Sequence, residues 1–261
     1  MSESLNNADA TVRGWVGDIH LAAVFLTRLP LPDAGPVAPG ELARAMRGFP
    51  VVGIGLGLAA GLIAALALAL LPPLPSALIA VMALTLMTGA LHEDGLADFA
   101  DGLGARGGAE QRLEVMRDSR SGAFGVLALV FSVSLRAAAL AALPGYGRVI
   151  GALVAAAALS RALIPAAMQV MAPARPDGLG ASAGSPDASV AATAAGLGLL
   201  AAIAGLGLGG ALVATVMALA AGLAVVWLAR RALGGYTGDV LGAVQQATET
   251  AIVLAAAMVW A

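Results

Sequence analysis

The strongest constraint on this chain is its supply of long apolar runs. Residues 51–71, 74–91, 122–143 and 147–170 each come near the ~20 apolar residues that a spanning helix requires. A further run, 189–229, is about twice that length, and the cluster Gly205-Leu206-Gly207-Leu208-Gly209-Gly210 divides it at a point suited to a tight turn. A last, shorter run closes the chain at 247–261 and could cross only by starting near the interface. These runs predict an all-α, polytopic transmembrane bundle of about seven spans. Ahead of them, residues 15–29 are apolar but broken by Asp18, His20 and Arg28, which reads as an interfacial amphipathic helix, followed by an extended proline-rich linker over 30–40.

Composition agrees. Sixty per cent of the 261 residues are hydrophobic and 11% are charged, with a mean hydropathy of +0.91, whereas about a quarter of an ordinary soluble domain is charged. No stretch between the runs is long enough for a separate core. The chain therefore reads as one integral membrane domain over 1–261, with an N-terminal interfacial region at 1–47 and the bundle at 48–261. The polar segment 1–10 lacks the basic and apolar regions of a secretory signal, so insertion is expected to rely on internal spans. A formal charge of −2 and the absence of any basic stripe argue against a nucleic-acid partner. The absence of cysteine removes disulfides, thiol nucleophiles and zinc-thiolate sites from consideration.

All fourteen basic residues are arginine. A GC-rich genome would produce that bias, and so would bidentate recognition of phosphate or carboxylate. With alternating spans, Arg13, Arg28, Arg44, Arg47, Arg106, Arg112, Arg117, Arg120, Arg175, Arg230 and Arg231 fall on one side, Arg148 alone falls on the other, and Arg136 and Arg161 lie within spans. The excess marks the first side as cytoplasmic. That side also receives every long polar loop, 92–121, 171–188 and 230–246, so the reactants are expected to be cytosolic.

The richest of these segments is His92-Glu93-Asp94-Gly95-Leu96-Ala97-Asp98-Phe99-Ala100-Asp101-Gly102. Offsets of four and seven put Asp94, Asp98 and Asp101 on one helical face. Like charges so placed repel unless neutralised, and a hard divalent cation with oxygen ligands is the natural counterion. The plain alternative is a solvated acidic helix start favoured by the helix dipole. His92 reads as a base, a metal ligand or a structural histidine. Arg117 and Arg120, three apart in Glu114-Val115-Met116-Arg117-Asp118-Ser119-Arg120, could clamp a phosphate, or could anchor the helix at the interface. Arg161 is expensive in mid-span and reads as functional or paired, whereas Arg136, nearer the far interface, is compatible with snorkelling. Arg175 in Arg175-Pro176-Asp177-Gly178-Leu179-Gly180 and Asp239 in Tyr236-Thr237-Gly238-Asp239 sit on glycine-rich loops that would let backbone approach a phosphate. Glu249 is a further acid on the same side.

Taken together and in order, several segments resemble the cobalamin synthase family, the adenosylcobinamide-GDP ribazoletransferases. They are Phe25 to Pro30, Phe49 to Gly53, Thr88-Gly89 with His92 and Asp94 to Gly102, Met116 to Arg120 with Gly122, Ser160-Arg161, Arg175 with Gly178 to Gly180, and Thr237-Gly238-Asp239 with Leu241-Gly242. Glu93 falls at a variable position of that pattern. The resemblance implies a multi-pass enzyme of the bacterial cytoplasmic membrane, compatible with a homo-oligomer. It would join adenosylcobinamide-GDP to α-ribazole, or to α-ribazole 5'-phosphate, and release GMP with Mg2+ as cofactor. Carried onto this chain, it makes Asp94, Asp98, Asp101 and Asp239 metal ligands. Arg117, Arg120, Arg161, Arg175 and Asp118 become substrate-binding, and Asp98 or His92 the base. Two rivals are a CDP-alcohol phosphotransferase, whose motif has Ala-Arg and a longer gap to further aspartates where Ala97 precedes Asp98 here, and a small-molecule transporter, whose ionisable groups would sit nearer the midplane.

Overall fold

The computed structural model describes residues 2–118, 120–175, 178 and 183–261. It is an all-α bundle. In chain order the helices are α1 (Ser2–Leu26), α2 (Glu41–Ala45), α3 (Phe49–Leu68), α4 (Pro73–Thr88), α5 (Leu91–Gly104), α6 (Ala109–Val115), α7 (Ala123–Ala141), α8 (Tyr146–Val170), α9 (Ala188–Leu233) and α10 (Gly238–Trp260).

α3, α7, α8, α9 and α10 are long and apolar enough to cross a membrane, and α4 and α5 pass the same test only as a pair bent by 93°. α9 requires closer reading. Forty-six residues in one straight helix would extend about 69 Å. Yet Gln169 donates to the carbonyl of Pro186, just before α9 begins, and Tyr236, just after it ends, exchanges backbone hydrogen bonds of 2.9 and 2.8 Å with Ala172 and Ala174. Both ends of α9 therefore meet the C-terminal end of α8, and the helix must double back. It does so at Gly207, whose φ of 70° and ψ of 171° lie in a region open essentially to glycine alone. The glycine cluster thus supplies the turn expected of it. With α4 as one passage and α9 as two, the chain traverses the bundle seven times.

Without water in the surroundings, the hydrophobic effect does not hold such helices together, and close packing of small residues takes its place. α3 shows this directly: Gly53 and Gly57 lie so near the backbone of Ala157, Leu153 and Val154 on α8 that neither position has room for a Cβ. The bundle interior is correspondingly rich in alanine, including Ala60, Ala64, Ala152, Ala155, Ala157, Ala214 and Ala218, while Leu62, Leu66, Leu86, Phe131, Leu208 and Leu212 point outward. That inversion of large and small residues suits a lipid environment.

Two expectations need correction. α10 starts at Gly238 rather than near 247, so the polar stretch up to Glu249 forms the first half of a full-length spanning helix. Segment 92–121 is largely helical, not loop. The N-terminal helix is held to the bundle through Asp18, which is only 1% exposed and binds Arg44 at 3.0 Å and Arg47 at 2.7 Å. Residues 27–40 form no helix or strand, as the prolines predict.

Candidate active site

α4 ends in a tight reversal. Gly89 and Ala90 both adopt the left-handed conformation, and their N–H groups donate to Leu86 and Thr85. Left-handed backbone is costly for alanine, so Ala90 is a strained position at the entrance to the acidic helix. The bend sends α5 across the starts of α7 and α10, outside the spanning segments. Its seating against α10 depends on two glycines: a Cβ on Gly95 would stand 2.9 Å from the carbonyl oxygen of Asp239, and Gly242 lies 3.2 Å from His92 in the same sense.

This arrangement brings the expected aspartates into one neighbourhood. Asp94 is exposed, while Asp98 and Asp101 are partly covered. Burial, followed by repulsion from Asp94, Asp239 and Asp101, pushes the Asp98 carboxyl up to about 7. Three carboxylates from two helices therefore act on a fourth, as the spacing of 94, 98 and 101 anticipated.

The four do not serve equally. Asp101 accepts from the backbone N–H of Gly122 at 2.7 Å and of Gly125 at 2.9 Å, so it caps the first turn of α7 with both oxygens. Asp239 accepts from the Thr237 hydroxyl at 3.1 Å and lies 3.8 Å from Arg175. Among the described residues no three His, Asp or Glu side chains converge closely enough to form a metal cage of their own. The donor chemistry nevertheless fits Mg2+, which usually takes one or two carboxylates and completes its shell with water and substrate phosphate. Asp94 and Asp98, with Asp239 beside them, offer such an open set.

Two cavities meet at Asp94. One, of about 900 Å3, lies between the linker and the α4–α5 bend and is lined by Thr27, Arg28, Asp33, Thr88, Gly89 and Asp94, among others. The other, of about 150 Å3, is lined by Phe25, Phe49, His92, Asp94, Asp239 and Gly242. The linker's part in the site was not anticipated: a proline-rich segment carries no signal of what it folds against.

The arginines divide differently from the expectation. Arg161 is 2% exposed and donates to Glu249 at 3.3 Å, and Arg136, 1% exposed, donates to the other oxygen of Glu249 at 2.7 Å and lies 3.5 Å from Glu93. Both guanidiniums are buried and engaged with Glu249. Of the two readings of Arg161, functional or paired, the structure shows the pairing, and Arg136 is paired rather than snorkelling, because a buried carboxylate supplies the partner that bilayer burial demands. Glu249, expected on the polar surface, is that carboxylate, and Glu93, left outside the site, accepts from Thr85 and Gln246 at 3.0 and 3.2 Å. Gln245 donates through Nε2 to both the Ser160 hydroxyl and Glu249. The network joins α4, α5, α7, α8 and α10 directly beneath the acidic platform.

Arg120 is exposed and paired with Asp118 at 2.6 Å, and this pairing draws the Asp118 carboxyl down to about 2. Arg117 is exposed on the same turn, which adjoins Asp101 through Gly122. Arg112, not singled out from sequence, donates to the carbonyls of Gly102 and Leu103 and closes the end of α5. His92 is 3% exposed, with Nδ1 unpartnered among the described residues. Ser119, Pro176, Asp177, Leu179 and Gly180, parts of the quoted motifs, lie outside the described residues.

A family model described as cobalamin-5-phosphate synthase matches residues 18–257. The chain belongs to this family. It is 47% identical over 248 residues to an adenosylcobinamide-GDP ribazoletransferase of Bradyrhizobium diazoefficiens, covering 95% of each chain. A protein of the same name from Azorhizobium caulinodans is 44% identical over 249 residues, covering 92% of this chain and 94% of its own. The family match runs from the last third of α1 into the last turn of α10, so it includes every candidate site residue. No solved structure matches the chain.

Proposed function

We propose that this membrane protein catalyses the ribazole transfer named for its relatives. A hydroxyl of α-ribazole, or of its 5'-phosphate, attacks the phosphorus that carries the aminopropanol linker of adenosylcobinamide-GDP. A new P–O ester forms, the anhydride P–O bond to GMP breaks, the hydroxyl proton leaves and GMP departs as a phosphate monoester. The observation that carries the reading is the crowding of Asp94, Asp101 and Asp239 around Asp98, with Asp94 lining two cavities and Asp239 the smaller of them.

Mg2+ bound there would neutralise charge on the phosphoryl oxygens as the anhydride breaks. Asp94 and Asp98 would hold it, with Asp239 assisting from α10. Asp101 contributes field rather than a full ligand, since both its oxygens serve α7. Arg175, beside Asp239, and Arg117 and Arg120, on the turn next to Asp101, stand where phosphate oxygens of either substrate could be engaged. Asp98, with its raised affinity for a proton, is the better candidate for receiving the hydroxyl proton; His92 is buried behind the platform. The arginine excess on the side that holds the acidic helix supports a cytoplasmic orientation in the inner membrane.

The test is an assay of purified protein with adenosylcobinamide-GDP, α-ribazole and Mg2+, following GMP and the corrinoid product. Stoichiometric appearance of both is expected. Absence of GMP from an active, folded preparation would overturn the assignment.

A further inference from the structure

The larger cavity has a second wall whose chemistry the reaction above does not use. α1 ends as Thr27 donates its hydroxyl to Ala23 at 2.7 Å, and the backbone N–H of Arg28 then donates to the carbonyl of Met87 at 2.8 Å. The start of the linker is thereby stitched to the end of α4. The stem of Arg28 lies directly on Gly89, where an added Cβ would meet Arg28 Cγ and come within 2.9 Å of Nε. Glycine at 89 thus serves two purposes, the left-handed turn and a flat seat for this side chain.

The backbone of Arg28 is tied to α4 and its stem lies over Gly89, while its exposed guanidinium has no hydrogen-bond or ion-pair partner among the described residues. Five other arginines on the same end of the bundle are engaged: Arg44 and Arg47 with Asp18, Arg112 with α5 carbonyls, Arg120 with Asp118, Arg175 with Asp239. An exposed guanidinium that lines a cavity with its donors open is suited to bidentate capture of a phosphate. Asp94 lines the same cavity, and so does Asp33, whose Oδ1 accepts from Gly35. The wall is net negative without a cation, so an anion would enter together with a divalent metal. A group bearing two linked phosphates could then be held at both ends, by Arg28 and by the metal on Asp94.

We infer that the cavity between the linker and the α4–α5 bend is the subsite for the nucleoside diphosphate portion of the substrate, with Arg28 as its anion-binding residue. This deepens the proposed reaction and rests on it for the identity of the substrate. It also accounts for the linker's return from α1 to the bend, which places residues 28–40 beside the acidic helix.

GDP with Mg2+ is a suitable probe, titrated against the full-length protein in detergent, alongside Michaelis constants for both substrates. Arg28→Ala should weaken GDP binding by about 10- to 100-fold, the value of one or two charge-assisted hydrogen bonds. It should raise KM for adenosylcobinamide-GDP similarly while leaving KM for α-ribazole within about twofold. Arg28→Lys should recover part of the loss. Should Arg28→Ala fail to fold, Arg28→Gln, which keeps much of the stem over Gly89, carries the comparison. GDP affinity unchanged in a folded variant, or absent in the wild type, overturns the inference. Arg28-dependent GDP binding in a protein that releases no GMP would uphold the subsite and refute the reaction.

Discussion

Arg136 on α7 donates to Glu249 on α10 across 2.7 Å, with both side chains almost wholly buried in mid-bundle. Arg161 takes the other oxygen of Glu249, and Glu93 lies beside Arg136, so two arginines and two glutamates balance in one polar core. Several of its atoms, Arg161 Nε, Arg136 Nη2 and Glu93 Oε2, have no hydrogen-bond partner among the described residues. A core of this kind is costly to assemble and more costly to break.

Removing one member should therefore leave an uncompensated charge. Glu249→Ala is expected to cost about 3–5 kcal/mol of stability. Joint replacement of Arg136, Arg161, Glu93 and Glu249 by apolar residues of similar volume should cost less than that single change. Thermal unfolding of the purified variants in one detergent checks this; a single variant as stable as wild type would contradict the network.

Neighbouring acids should behave oppositely. Glu93→Ala is expected to lower the melting temperature, because Glu93 ties α5 to α4, α7 and α10. Asp94→Asn should leave the melting temperature nearly unchanged and weaken Mg2+ activation at least tenfold. Comparing melting curves with Mg2+ titrations of turnover separates the two.

Asp98 links activity to pH. Its native affinity for protons is raised, to about 7 against a usual value near 3.8. Between those values the native state binds more protons than the unfolded state, so metal-free stability falls as pH rises from about 4 through about 7. Asp98→Asn removes that loss. The variant should melt higher than wild type at pH 8 in a chelator, lose that advantage near pH 4, and release no GMP at any pH. Melting at the two pH values, with and without Mg2+, tests the assignment, and Mg2+ should stabilise the wild type more at the higher pH.

Asp101 is expected to matter through α7. Asp101→Ala takes away the acceptor for Gly122 and Gly125 and should cost about 1–2 kcal/mol, with faster amide exchange at the start of α7. Unchanged exchange there would show that the cap carries no weight.

Much of this protein was legible without coordinates. Apolar length gave the spans, the glycine cluster gave the turn at Gly207, and helical offsets put Asp94, Asp98 and Asp101 on one face. Those are local properties of a backbone that must satisfy its own hydrogen bonds in lipid. Partnership between distant residues was not legible. Arg161 read as functional or paired and Arg136 as snorkelling, with no partner named for either, because Glu249, 88 and 113 residues away in sequence, reaches them only once α7, α8 and α10 are packed.

By itself, then, the sequence determined an all-α membrane bundle, its turn and its acidic face, since composition and helical period suffice for those. Tertiary structure alone decided which charges are spent inside and which face a ligand. Glu93 and Asp94 are adjacent, yet the bend at Gly89 and Ala90 and the seating of Gly95 on α10 turn one into the polar core and the other into the cavity.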